Sequence, residues 1–414
     1  DLKTCLSQLE NFGDIFNFTL RSQDISNNFK ISQKLYGRKS EIDQLLTTFE
    51  MVSQGSTEMI VVAGYSGSGK SALVNEIHKP IVQKKGYFIS GKFDQFKRNI
   101  PYACLIQAFQ DMIRQLLTES HTQLHIWKQK LLAAIGTNGQ VIIDVIPEVE
   151  LIIGKQPSVP QLSPTESQNR FNLVLRKFLG VFTKKEHPLV IFLDDLQWAD
   201  SASLKLIELL ITNINSQYLL MIGAYRDNEV SPTHFLMKTL DKIQSAGINI
   251  SKITVHPLNL EDVQELIADT LSCSIEESKF LAKLVFNKTN GNPFFVTQLL
   301  QALYTQKFLL FNFSTRRWQW SIAEIKKVEI TDNVVDLMAT KIERLDKSAQ
   351  EILKLAACIG NQFDLDVLSV ISKKSLLETA IELLLAIQEG LIIPLSDEAY
   401  KIPILCNQQK SYRS

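Results

Sequence analysis

Two kinds of apolar pattern alternate between about residues 36 and 258. Short runs of consecutive apolar residues are separated by longer stretches in which apolar residues recur at helical spacing. The short runs lie at 59–63, 87–90, 189–193, 218–225 and 253–255, and the helical stretches include about 39–53, 102–118 and 166–184. An uninterrupted apolar run is typical of a parallel strand that is covered on both faces. The pattern therefore predicts an α/β fold, with a parallel sheet flanked by helices.

The pattern changes after residue 258. Residues 259–306 keep helical spacing and contain no strand-like run, which predicts a helical lid on the sheet domain. Inside this segment the helical pattern stops at Gly291 and starts again at Pro293, a residue that favours the first position of a helix.

The remaining segments complete the predicted domain organisation, in which the sheet domain occupies 36–258. A Phe-rich stretch predicts a β-hairpin connector at 307–330. Helices followed by the alternating residues 391–395 predict a winged-helix-like domain at 331–405. Residues 1–35 are polar and interrupted, as in a linker, and 406–414 form a polar tail, so we expect a truncated winged helix.

The most informative motif is the octet Gly-Tyr-Ser-Gly-Ser-Gly-Lys-Ser at residues 64–71, which follows the first apolar run and opens a helical stretch. This is the pattern of a P-loop, in which glycines allow a tight turn and backbone N–H groups surround phosphates. Lys70 is expected to reach the β- and γ-phosphates, and Ser71 to offer a hydroxyl ligand to Mg²⁺. The predicted nucleotide-binding residues are Gly64, Gly67, Ser68, Gly69, Lys70, Ser71 and Ala72.

A second acidic motif ends the apolar run at 189–193. Asp194 is expected to hold Mg²⁺ together with Ser71, and Asp195 to orient or deprotonate the attacking water. Ligands of open α/β sheets bind at the carboxyl ends of strands, which favours this interpretation over a solvated turn.

The run at 218–225 is followed by Arg226, which is a candidate sensor of the γ-phosphate. An arginine can bind a terminal phosphate through charge-assisted hydrogen bonds and lose them after hydrolysis. The alternative is an ordinary surface pair with Asp227 or Glu229. The predicted catalytic set is thus Lys70, Asp195 and Arg226.

Composition excludes several classes of protein. Lys+Arg and Asp+Glu both total 44, so no overall field favours nucleic acid or an anionic membrane. No apolar run approaches the roughly 18 residues of a membrane-spanning helix. The five cysteines are scattered without CxxC spacing, which argues against a disulfide framework or a zinc site and favours a reducing cytoplasm. The first residue is not Met, so we expect a fragment or a processed chain.

Lys92, Lys97 and Arg98 form a small basic cluster with Phe93 and Phe96. Such a cluster can contact nucleic acid or a protein partner. A loop that follows the second strand explains the same residues equally well.

Together these motifs resemble a STAND-type signal-transduction ATPase, a branch related to AAA+ proteins and to origin-recognition-like ATPases. The matching segments are 36–38, 64–71, 193–200, 225–226 and 291–293. The resemblance implies that Tyr36, Gly37 and Arg38 line the adenine pocket and that Pro293 packs against the base or ribose. It also implies ATP or ADP with Mg²⁺ as cofactors, and a nucleotide-dependent oligomer.

A narrower resemblance is to the ATPase module of large bacterial, notably cyanobacterial, kinases with a Ser/Thr kinase domain, this ATPase, a GAF domain and a histidine kinase. It rests on residues 29–38, 91–95 with 99–102, and 332–335. It implies that 1–35 is a linker from a kinase domain and that neighbouring kinase or sensor domains are the partners. The chain has no HRD or DFG segment, so kinase activity is not assigned to these residues.

The sequence therefore predicts a nucleotide-dependent switch of a multidomain kinase. Asp195 replaces the usual glutamate and no arginine finger is evident, which predicts slow hydrolysis. Two other functions stay open. One is a DNA-binding regulator that uses the winged helix, supported only by Lys373 and Lys374, and the other is a scaffold without catalysis.

Overall fold

The computed structural model describes residues 29–95, 100–212, 217–327, 339, 341–360 and 363–392. The chain divides into two compact units, with the boundary between Lys327 and residue 328.

In the described part of the first unit, five strands form one parallel sheet, which confirms the predicted fold class. The strands are β1 Thr57–Ala63, β2 Tyr87–Lys92, β3 Leu189–Asp194, β4 Leu219–Tyr225 and β5 Ile250–Thr254. Their order across the sheet is β2-β3-β4-β1-β5. β4 therefore lies between the P-loop strand β1 and the acidic strand β3, and all carboxyl ends meet at one edge.

Both faces of the sheet are covered, as the apolar runs predict. Along β1, Met59 and Val61 belong to one buried cluster, while Ile60 and Val62 belong to another on the opposite face. This alternation follows from the period of two along a strand. All four side chains are at most 3% exposed, so the sheet is a rigid base for its edge.

The helices around the sheet are α1 Lys39–Ser53, α2 Lys70–Asn75, α3 His78–Gln83, α4 Ala103–Leu116, α5 His121–Ile135, α6 Gly139–Ile143, α7 Glu150–Ile153, α8 Pro164–Phe182, α9 Ser201–Ile211 and α10 Phe235–Ser245. Residues of α1, α2 and α3 contribute to the cluster that contains Ile60. Between α4 and α8 the chain forms three further helices, α5, α6 and α7. Trp127 of α5 is buried against Phe182 of α8.

The segment after the sheet is helical, as predicted, with α11 Leu260–Leu271, α12 Ile275–Thr289 and α13 Pro293–Thr305. The predicted break is confirmed, since Asn290 and Gly291 have positive φ and Pro293 begins α13. In the segment predicted as a hairpin connector, antiparallel strands β6 Leu309–Asn312 and β7 Arg317–Trp320 pair with each other. A short helix, α14 Ile322–Lys327, follows it.

The described part of the second unit contains α15 Lys347–Ile359, α16 Leu365–Ser372 and α17 Leu376–Gln388. Residues 393–395 of the predicted wing, the tail at 406–414 and the segment 332–335 lie outside the described residues. Lys374, on which the DNA-binding alternative partly rests, forms an ion pair of 2.6 Å with Glu382.

Across the described residues, no helix has both the length and the apolar character needed to span a bilayer.

Two glycine substitutions test how tightly the helices pack on the sheet. A Cβ at Gly91 of β2 would lie 2.5 Å from the carbonyl oxygen of Cys104, so the backbone of α4 would have to move. We expect Gly91→Ala to lower the free energy of unfolding by about 1–3 kcal/mol in chemical denaturation.

Gly180→Ala is the matched control, because a Cβ there meets nothing within 4 Å. Since Gly180 lies in α8, alanine should raise the free energy of unfolding by up to about 1 kcal/mol. Equal effects of the two substitutions would contradict the packing described for β2 and α4.

Candidate functional site

The loop between β1 and α2 has a backbone that requires glycine. Gly67 and Gly69 have φ of +75° and +95°. A Cβ at Gly69 would meet nothing within 4 Å, whereas at Gly67 it would lie 2.8 Å from Oδ1 of Asn292 and from Cβ of Phe294. Gly64 also permits a close approach, because a Cβ there would lie 2.6 Å from the carbonyl oxygen of Val255. Non-glycine residues adopt positive φ only at a cost, so the loop conformation depends on these glycines.

Lys70 begins α2 and is only 7% exposed. Its Nζ donates to the carbonyl oxygens of Gly64 and Tyr65, both at 2.9 Å. Burial lowers the pKa of Lys70, and the nearby carboxylates of Asp194 and Asp195 oppose that effect. These bonds use two of the three N–H donors of the ammonium group and hold it against the loop.

The two predicted metal ligands lie next to each other. Oγ of Ser71 donates to Oδ2 of Asp194 at 2.9 Å, and Oδ1 of Asp194 accepts from the backbone N–H of Asp195 at 2.9 Å. Mg²⁺ in nucleotide sites uses one or two protein oxygens and completes its shell with phosphate and water. A hydroxyl and a carboxylate at this separation fit that requirement.

Asp195 is a buried carboxylate with two cationic neighbours. It is 5% exposed and has φ of +55°. Nζ of Lys92 lies 3.4 Å from Oδ2, and Nε of Arg226 lies 3.4 Å from Oδ1. Oδ1 also accepts from Nε2 of Gln197 at 2.8 Å. A buried carboxylate needs such partners, because isolated burial of its charge is very costly.

Arg226 follows β4 and forms the surface pair with Glu229 that was the alternative interpretation, while its role as a sensor of the γ-phosphate stays a prediction. It pairs with Asp195 at the cleft, and its Nη1 also donates to Oε1 of Glu229 at 2.8 Å. The guanidinium carbon lies 4.7 Å from the ring centroid of Trp198. The side chain is therefore held by an acid on each side and by an aromatic face.

The lid contacts the loop directly. Nδ2 of Asn292 donates to the carbonyl oxygen of Ser66 at 2.9 Å, and the backbone N–H of Phe294 donates to the carbonyl oxygen of Gly67 at 3.2 Å. Oδ1 of Asn292 also caps α13 by accepting from the N–H groups of Phe294 and Phe295. One asparagine thus fixes the start of α13 and connects it to the loop.

These groups surround a cleft of about 380 Å³. The lining residues that the sequence predicted for the site are Gly67, Gly69, Lys70, Ser71, Ala72, Asp194, Asp195, Arg226 and Pro293. Ser66, Lys92, Phe294 and Thr297 also line it and were not assigned to the site from sequence. Oγ of Ser68 is buried beside the loop without a hydrogen-bond partner among the described residues. The glycine cradle and the paired Ser71 and Asp194 fit a phosphate chain with Mg²⁺.

The segment 36–38 does not line this cleft. The hydroxyl of Tyr36 donates to Oδ2 of Asp269 in α11 at 2.8 Å, and burial raises its pKa. A Cβ at Gly37 would overlap the carboxylate of Asp262, and the Arg38 guanidinium donates to the carbonyl oxygen of His256. The segment is thus packed against the lid, and its role at adenine stays a prediction.

Lys92 lines the cleft, although its sequence neighbours predict a basic loop cluster. It ends β2, and its Cα pairs in register with Asp194. Its position at the carboxyl end of a strand was a usable signal, since Asp194 and Arg226 were found in the same way.

Three comparisons place this arrangement among known proteins. Residues 34–222 match the family model described as AAA ATPase domain. "Hybrid signal transduction histidine kinase G" of Dictyostelium discoideum is 36% identical over 87% of this chain and 12% of its own length. "Histidine protein kinase 1" of Candida albicans is 22% identical over 90% of this chain and 17% of its own length. The chain thus spans less than a fifth of either relative.

Among solved structures, a similar one is "Structure of the Aeropyrum Pernix ORC2 protein (ADPNP-ADP complexes)". It is 13% identical with a TM-score of 0.42, and the match covers 95% of this chain and 99% of that one.

The contact between lid and loop can be tested with Asn292→Ala. The variant loses the helix cap and the bond to Ser66, so we expect faster amide hydrogen exchange at residues 64–71 and at Phe294 and Phe295. The lost cap should also lower the free energy of unfolding by about 1 kcal/mol.

Ser274→Ala provides the control, because Ser274 caps α12 and has no bond to the loop. It should lower stability by a similar amount, about 1 kcal/mol, while exchange at 64–71 stays unchanged. Faster exchange at 64–71 in both variants would mean that general loss of lid stability, rather than the Asn292 contact, controls the loop.

Proposed function

We propose that the chain binds ATP with Mg²⁺, hydrolyses it slowly and acts as a nucleotide-dependent switch in a larger signalling kinase. In this proposal the ATPase site lies in residues 34–222, which match the family model described as AAA ATPase domain. The observation that carries the proposal is the convergence of Lys70, the Ser71–Asp194 pair and the Asp195–Arg226 pair on one cleft.

Each of these residues has a distinct proposed role. The loop N–H groups and Lys70 bind the β- and γ-phosphates, and Ser71 and Asp194 hold Mg²⁺, which when bound neutralises charge on the phosphates. Asp195 positions the attacking water and accepts its proton. Arg226 contacts the terminal phosphate while it keeps its pair with Asp195, and it loses the phosphate contact when that phosphate leaves.

Slow hydrolysis is supported by the state of Asp195. Its carboxylate is paired with Lys92 through Oδ2 and with Arg226 through Oδ1, so each oxygen already has a cationic neighbour at 3.4 Å. A base held in this way has to lose one partner before it can accept a proton. We therefore propose that the rearrangement of this pair limits turnover.

The switch itself is proposed to run through the lid. The bonds from Asn292 and Phe294 end on carbonyl oxygens of the loop that would surround the phosphates. A ligand shifts a conformational equilibrium only by binding one arrangement better than another. Contacts that the loop and the lid share give nucleotide binding such a preference.

The signalling context is supported by the two histidine kinases whose sequences match most of this chain. We propose that 1–35 is a linker from a preceding kinase domain and that 36–258 is the ATPase core. The lid at 259–306, the connector at 307–330 and a winged-helix-like domain at 331–405 would pass the nucleotide state to neighbouring kinase or sensor domains. The bacterial order of Ser/Thr kinase, ATPase, GAF and histidine kinase is part of this proposal.

Two further properties belong to the same proposal. Cys104, Cys273 and Cys358 are free thiols, which suits a reducing cytoplasm. Oligomerisation that depends on nucleotide would give the neighbouring domains a second way to read the switch.

Lys70→Ala tests nucleotide binding. Loss of a buried cation that forms charge-assisted bonds should weaken ATP binding by about 10- to 100-fold in calorimetry. Lys84→Ala is the control, since Lys84 is a half-exposed lysine that pairs with Glu50 outside the cleft. Unchanged ATP affinity in Lys70→Ala would contradict the proposed role of the loop.

Asp195→Ala separates binding from hydrolysis. We expect the variant to bind ATP at least as tightly as the parent protein, because an anion is removed from the cleft. Its rate of phosphate release should fall by about 10²- to 10⁴-fold, the usual contribution of a positioned base. If the parent protein has no measurable affinity for nucleotide, the result instead supports the alternative function, a scaffold without catalysis.

A further inference from the structure

We infer that Lys92 is a third cation for the terminal phosphate, beside Lys70 and Arg226. Movement of its ammonium group from Asp195 to this phosphate would make the site prefer a nucleoside triphosphate to a diphosphate. The inference rests on the proposed function and deepens it, because it assigns a role at the same cleft to a residue outside the predicted site.

The backbone of Lys92 is fixed where the phosphates are expected. β2 pairs with β3 so that the Cα atoms of Lys92 and Asp194 are partners, and the N–H of Phe93 donates to the carbonyl oxygen of Asp194 at 3.0 Å. Lys92 therefore emerges at the same sheet edge as the proposed metal ligand. It also lines the cleft together with Lys70 and Ser71.

Asp195 is paired with two of the cationic side chains that line the cleft. The lining residues include three cationic side chains and two carboxylates. Asp194 is occupied by Ser71, while Asp195 is shared between Lys92 and Arg226. One cation is enough to pair one carboxylate, and Gln197 adds a hydrogen bond. Asp195 would therefore stay paired after the departure of Lys92.

Lys92 is also the cation that moves most easily. Its side chain is 45% exposed, against 25% for Arg226 and 7% for Lys70. Arg226 is held by Glu229 and Trp198, and Lys70 by two loop carbonyls. Lysine carries its charge on a flexible stem, so Lys92 can reach a second anion without movement of its backbone.

Transfer of Lys92 has two consequences for the chemistry. The terminal phosphate gains a cation that a diphosphate cannot use, because ADP lacks that group. At the same time Oδ2 of Asp195 loses its partner and becomes available to accept a proton from water. Lys92 would thus connect triphosphate recognition to activation of the base.

The first experiment compares affinities of the full chain for ADP and for a non-hydrolysable ATP analogue, with Mg²⁺ present. Lys92→Ala should weaken binding of the analogue by about tenfold and leave ADP affinity within about twofold of the parent value. Retained ADP affinity shows that the variant is folded. Lys92→Arg should recover most of the loss, because it restores the cation.

Lys84→Ala is a matched control. Lys84 is 46% exposed and lies 3.2 Å from Glu50, so it resembles Lys92 in exposure and in having one carboxylate partner. It lies outside the lining of the cleft. Its substitution should change neither affinity.

A double-mutant cycle with Asp195→Asn separates a direct role from an indirect one. If Lys92 binds the terminal phosphate, Lys92→Ala still weakens analogue binding in the Asp195→Asn background. If Lys92 only screens the Asp195 charge, the loss disappears once that charge is removed, and the inference is overturned. Equal loss of analogue and ADP affinity in Lys92→Ala would overturn it as well.

Failure of the proposed function gives a different result. A parent protein that binds neither nucleotide contradicts the ATPase proposal itself. A parent protein that binds both, with unchanged discrimination in Lys92→Ala, contradicts only the role of Lys92.

Discussion

The buried carboxylate of Asp195 is the constraint on which the polar edge of the sheet depends. At 5% exposure its charge is tolerable only with partners, and these come from the end of β2, from the residue after β4 and from Gln197. One side chain therefore joins segments that are distant in sequence. The same contacts occupy both oxygens of the carboxylate, Oδ2 with Lys92 and Oδ1 with Arg226 and Gln197.

The strands that carry this polar edge are packed on both faces against buried apolar clusters. Alternate residues of β1 enter two separate buried clusters, one on each face. Packing of this density resists change, whereas Lys92 carries its charge on a flexible side chain that is 45% exposed. The structure thus combines a rigid sheet with side chains at its edge that can change partners, and the lid is bonded to the loop beside them.

Much of the fold was predictable because its signals are local. Four of the five strands lie within two residues of the predicted apolar runs at each end. β5 begins three residues before its predicted start because Ser251 and Lys252 interrupt the apolar pattern, as is usual for the edge strand of a sheet. The order of the strands was not predictable. In the observed order, β4 lies between β1, which carries the phosphate motif, and β3, which carries the metal motif. Neither motif contains a signal for the position of β4.

The sequence by itself determined that the glycines and Lys70 belong to a phosphate-binding type of loop. It also determined that Asp194, Asp195 and Arg226 follow strands. Each of these signals depends on backbone geometry and on neighbours within a few residues. The tertiary structure alone decided that Asn292 meets Ser66, 226 positions away, and that Lys92 meets Asp195. Such contacts follow from strand order and register, which are set by packing of the whole core, so no local pattern could have specified them.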